Sequence, residues 1–93
     1  MKNLLEISKI IKNIETEAEI ISFFKELLTE SEIETLSKRW HILLMLRDGR
    51  TQREISKDLQ VSLCKVTRGS KILKDKDSIL SRYLIKEKKN AND

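Results

Sequence analysis

The sequence predicts an all-α fold, and three observations predict it. In 93 residues there is no proline and there are only two glycines, Gly49 and Gly69, so little interrupts a helix. Apolar residues recur at intervals of three and four rather than two, which is the period of a helix face and not of a strand. Thr-x-x-Glu occurs at Thr16/Glu19, Thr29/Glu32 and Thr51/Glu54. In each, hydroxyl and carboxylate can satisfy two of the amides orphaned at a helix start. A chain this short buries only about 60 to 65% of its extended surface. The expectation is therefore one domain over residues 1–93, or one half of an intertwined pair in which a second subunit supplies missing core.

The elements follow in order. A first helix over about residues 3–13 places Leu4, Ile7, Ile10, Ile11 and Ile14 on one stripe, broadened by Leu5. The Thr16 box opens a second helix to about Leu28. Its apolar residues Ala18, Ile20, Ile21, Phe23, Phe24, Leu27 and Leu28 cover too wide an arc for one contact, so it should pack on two sides. The Thr29 box opens a third helix, roughly 30–48, with Ile33, Leu36, Trp40, Leu43, Leu44 and Leu46 expected to face inward. Gly49 caps its end. Residues 3–48 form the expected dimerisation region. Thr51 opens a fourth helix and Ser62 a fifth. A last helix over about 77–88 starts at Asp77 or Ser78 and carries Ile79, Leu80, Tyr83, Leu84 and Ile85, a broad face expected to pack on the partner or the core.

Composition narrows the function. No run of about 18 apolar residues exists and the N-terminus lacks an apolar segment with a cleavage site, so a cytoplasmic location without membrane contact is expected. One cysteine, Cys64, and one histidine, His41, are too few for a disulfide or a closed zinc site. No Ser-His-Asp grouping, catalytic carboxylate pair or phosphate-cradling glycine loop can be assembled, so no enzyme and no cofactor are expected. The net charge of +4 is uneven: residues 1–49 carry seven Lys/Arg against nine Asp/Glu, residues 50–93 twelve against six. Between Asp58 and Asp75 lie Lys65, Arg68, Lys71 and Lys74 and no acid, a stretch suited to a polyanion or simply a solvated face. The lysines of the tail KEKKNAND could add nonspecific attraction.

That basic stretch coincides with a helix-turn-helix pattern over residues 51–74. Counting Gln52 as first, Ile55, Leu59, Val61 and Val66 occupy the fourth, eighth, tenth and fifteenth places, where two crossed helices touch, and small Ser56 is fifth. In such a unit the second helix enters the major groove end-on. Leu63 and Cys64 suit a thymine methyl, Lys65 a guanine acceptor, and Arg53 a bidentate guanine contact. Gln52 and Thr67 are placed for phosphates, and Ser70, Lys71 and Lys74 are grouped with the same DNA-binding surface. Double-stranded DNA is the expected partner. Cys64 is expected outward by helical spacing, although a free cysteine is commonly a small buried hydrophobe. Trp40 is expected in the core and His41 at the surface. Gly69, inside a helix at a cost of about 1 kcal/mol relative to alanine, implies close approach of either a neighbouring helix or a ligand.

From about Leu27 to Lys74, without a gap, the chain resembles the tryptophan operon repressor family. The resemblance is carried by L-T-x-x-E at Leu28 to Glu32, by Arg39, by T-Q-R-E at Thr51 to Glu54 and by T-R-G-S at Thr67 to Ser70. It implies a six-helix intertwined homodimer that binds a palindromic operator and represses transcription, with L-tryptophan as corepressor between Arg39 of one subunit and Arg68 of the other. Guanidinium planes stack on an aromatic ring and attract a carboxylate. By the same resemblance Leu28 and Thr29 match the wall and the amino-group contact, and Gly69 the glycine that lets the ligand approach. Ile72 stands where tryptophan-binding members have a serine, and Glu26 where they have an apolar residue. A ligand-independent DNA-binding regulator of the same family is the alternative. A helical protein-interaction module with a merely structural helix-turn-helix is the rival from another class.

Overall fold

The computed structural model describes the backbone of residues 1–92 and the side chains of residues 1–85, and its described residues form six helices. The tail lysines lie outside the described side chains. The chain divides into two compact units, Met1–Thr35 and Leu36–Asp93.

In the first unit α1 runs Lys2–Asn13 and stops where Ile14 turns extended, at φ −75° and ψ 132°. Helix α2, Glu17–Leu27, starts at Thr16 and stops at extended Leu28. The Thr16 signature is half realised. The Glu19 amide donates to Thr16 Oγ1 at 3.2 Å, but the Glu19 carboxylate receives the Thr16 hydroxyl at 3.3 Å instead of its backbone N–H. At the start of α3, Glu30–Arg47, the box is complete: Thr29 N donates to Glu32 Oε1 at 2.9 Å and Glu32 N to Thr29 Oγ1 at 3.1 Å. Neither α1 nor α2 buries a residue in the single chain. Leu4, Leu5, Ile10, Ile21 and Leu27 are all more than half exposed.

The second unit holds a small core. Ile42 from α3, Ile55 from α4 (Gln52–Leu59) and Val66 from α5 (Leu63–Lys74) meet at its centre, with Met45, Leu46, Leu59 and Val61 packed around them. Helix α3 ends in a Schellman motif: Gly49, at φ +90°, donates to Leu46 O at 3.1 Å and Arg50 to Met45 O at 3.0 Å. Helix α6, Ile79–Asn92, takes its cap from Ser78, whose Oγ accepts from Ser81 N at 3.2 Å. Ser81 Oγ in turn donates to Leu73 O at 2.9 Å, fastening α6 to α5. Of the broad apolar face of α6 only Leu84 is buried; Ile79, Tyr83 and Ile85 are exposed.

Helix α3 departs from the expected inward stripe. Ile42 and Leu43 are buried, whereas Leu36 and Trp40 are each 46% exposed. At 100° per residue Ile42 lies 160° from Leu44 and Trp40 160° from Ile42, so the α3 apolar residues form two faces rather than one. The α4–α5 pair covers the first. Trp40 is thus an exposed residue of the single chain and not part of its core.

Candidate nucleic-acid interface

The α4–α5 joint is fixed at both ends. Thr51 and Glu54 make a full capping box at the start of α4. At its end Gln60 adopts the left-handed conformation, φ 53° and ψ 49°, and Val61 N donates back to Ser56 O at 3.1 Å. Ser56, read from sequence as a residue small enough for the helix crossing, also donates its hydroxyl to Val61 O at 2.6 Å and so ties helix to turn. Ser62 then accepts from Lys65 N at 3.4 Å and opens α5. Ile55 and Val66, both fully buried, lock the two helices from inside. Thr67 Oγ1 donates to Gln52 Oε1 at 2.9 Å across the pair. Gln52 and Thr67, singled out for phosphates, therefore bridge the two helices, while the Gln52 amide nitrogen still has protons to donate.

This frame turns the first turn of α5 outward. Leu63, Cys64 and Lys65 are exposed, as is Arg53 on α4, and further along α5 so are Arg68, Lys71 and Lys74. Among the described residues none of these cations is in an ion pair. The cysteine sulfur is free and at the surface. Ser70 corrects the expectation. It is 8% exposed, because Val66, Gly69 and Ser70 share the inner face of α5 at spacings of three and four. It is not part of the outward surface.

Arg50, which the sequence reading passed over, organises the charges of α4. Its Nε lies 3.0 Å from Glu54 Oε2, and its Nη2 donates to Asp58 Oδ2. The Glu54 carboxylate thus has one oxygen in the helix cap and the other on Arg50. The Thr51 hydroxyl first, then Arg50, hold Glu54 below the usual carboxylate range, and Asp58 followed by Glu54 push the Arg50 guanidinium further up. An i,i+4 pair between Arg50 and Glu54 was available from spacing; the contact with Asp58, eight residues on, was not.

The residues assigned to a ligand by resemblance fall in both units. In the first, Leu28 is half-buried and exposed Thr29 is engaged in its capping box. In the second, Arg39 and Arg68 are exposed and Ile72 is half-buried. Gly69 is buried against α3: an added Cβ would lie 3.2 Å from Ile42 Cγ2, 3.2 Å from Leu46 Cδ1 and 3.5 Å from Leu43 Cδ2. Of the two close approaches the sequence allowed, this chain itself supplies the neighbouring helix.

A family model described as Trp repressor protein matches residues 2–88, nearly the whole chain. A Trp operon repressor homolog of Chlamydia trachomatis serovar D is 40% identical over 65 residues, 69% of either chain. The homolog of serovar L2 is 38% identical over the same shares. No solved structure matches the chain. No helix among the described residues is long and apolar enough to cross a membrane. By the family match over nearly its whole length and the identity to these relatives, the chain belongs to the Trp repressor family of non-enzymatic, DNA-binding transcriptional repressors.

Proposed function

We propose that this chain acts as a homodimer that represses transcription by inserting the first turn of α5 into the major groove of a palindromic operator. The observation that carries the reading is the exposed, acid-free end of α5, with Leu63, Cys64 and Lys65 outward while Ile55 and Val66 hold its base rigid. Arg53 from α4 adds a bidentate donor beside it, and Lys71 and Lys74 extend the positive surface toward phosphates. Dimerisation is supported by α1 and α2, which keep an apolar surface that a lone chain leaves in water. The test is duplex binding as a function of salt. With about three phosphates neutralised per protomer, log K should fall with log salt at a slope of about −5 for the dimer. A flat response overturns the reading in favour of a protein-interaction module.

L-tryptophan is the ligand this reading gives to Arg39 and Arg68, two exposed guanidinium groups without ion pairs among the described residues. Leu28 would form a wall and Thr29 would meet the amino group. The ligand would then favour the head orientation that fits DNA, by at most its differential affinity for the two orientations. Ile72 offers no hydrogen bond to the polar end, which costs about 1 to 3 kcal/mol and lowers affinity by one to two powers of ten. Calorimetric titration checks this: weak heat with the unaltered chain, tighter binding with Ile72→Ser, none with Arg39→Ala or Arg68→Ala. Absence of binding at millimolar tryptophan, with duplex affinity intact, leaves the ligand-independent regulator.

A further inference from the structure

We propose that Arg50 is a positioning residue for duplex binding whose role is electrostatic: it neutralises Glu54 and Asp58 so that the cationic row beside them meets phosphates undiminished. This rests on the DNA-binding reading above.

Helix α4 carries two adjacent rows on its exposed side. Arg53 and Lys57, one turn apart, form a cationic row with no ion pair among the described residues, and Glu54 and Asp58 form an acidic row rotated one residue from it. Left alone, the acidic row would cancel the field of the cationic row and repel an approaching phosphate chain. Arg50, at the foot of the helix, reaches both carboxylates at once, with Nε on Glu54 and Nη2 on Asp58. The same Glu54 has its other oxygen in the Thr51 capping box, where its negative charge also suits the helix N-terminus. Arg50 resolves that conflict: α4 keeps its acidic cap at the helix start, and the negative charge is held away from the duplex. All three side chains are between 40% and 52% exposed. Exposed pairs contribute little to folding stability, so a structural clamp is the weaker account of the same contacts.

The experiment is a double-mutant cycle on affinity for a mixed-sequence duplex at low salt, using the full chain as Arg50→Met, Asp58→Asn, the double variant and Arg50→Lys. Circular dichroism and thermal melting verify that each variant is folded. Arg50→Met should weaken binding roughly two- to fivefold, and Arg50→Lys should stay near the unaltered chain. Asp58→Asn should recover most of the loss in the Arg50→Met background while changing little by itself. A gain from Asp58→Asn that is equal in both backgrounds would mean that only net charge counts, and overturns the inference. So does a double variant no better than Arg50→Met, with Asp58→Asn alone already weakened, since that is the signature of a clamp. An unaltered chain without salt-dependent duplex binding overturns the DNA reading itself, which an additive cycle leaves standing.

Discussion

Replacing Ile55 by alanine tests whether the second unit has the core described, because this side chain is the point where α3, α4 and α5 meet. Ile55 is 0% exposed, in contact with Ile42 at 2% and Val66 at 0%, and ringed by Met45, Leu46, Leu59 and Val61. The change removes three carbons. At about 0.8 kcal/mol for each buried methylene the transfer loss is about 2.4 kcal/mol. The vacated volume has neighbours fixed on two other helices, so the site collapses only partly and the total should reach about 3 to 4 kcal/mol per chain. Ile55→Val removes one carbon and should cost about 1 kcal/mol. Urea denaturation at fixed protein concentration measures both, since the stability of the proposed dimer would depend on protomer concentration. Midpoints should shift in that order with the slope unchanged. A loss below about 1 kcal/mol for alanine, or equal losses for the two variants, would refute a tightly packed centre.

Other expectations follow from the same geometry. Gly69→Val, which pushes a branched side chain into Ile42 and Leu46, should destabilise by about 1 to 3 kcal/mol in the same assay, and a neutral result would show that α3 does not close on α5. Thr51→Ala removes the cap acceptor for Glu54 N and should cost about 1 kcal/mol, seen as loss of stability with duplex contacts otherwise unchanged. Glu32, held low mainly by the Thr29 amide, and Glu54, held low mainly by the Thr51 hydroxyl, set an acid limit. A depressed folded-state pKa stabilises above the ordinary value of about 4.5, and that contribution is lost as pH falls below it through the folded values. Stability should therefore decline below about pH 4.5, and Glu32→Gln should flatten part of the decline. An unchanged pH profile in that variant would contradict the capping role.

What the sequence disclosed was chiefly local. Helix starts at Thr29 and Thr51 were legible because the residues that make the cap are three apart, and the Gly49 stop because a left-handed residue ends a helix. The core positions Ile55, Leu59, Val61 and Val66 were legible through their fixed spacing within one motif. Trp40 lies on a face that the single chain leaves exposed, because periodicity tells which residues share a face and not what covers that face. Ser70 was grouped outward with Lys71 although its spacing from Val66 places it inside. The Gln52–Thr67 bond, across fifteen residues, and the reach of Arg50 to Asp58 depend on how helices and loop are oriented, which no local pattern encodes.

The central claim, that the exposed end of α5 reads duplex DNA, is tested most directly by comparing the salt dependence of duplex binding for the unaltered chain and Lys65→Ala. If Lys65 meets the duplex in each protomer, the variant should bind more weakly with the melting curve unchanged, and where its charge neutralises a phosphate the log–log salt slope should also shrink by about 1 per protomer. Identical affinity and slope in the two proteins would contradict the account.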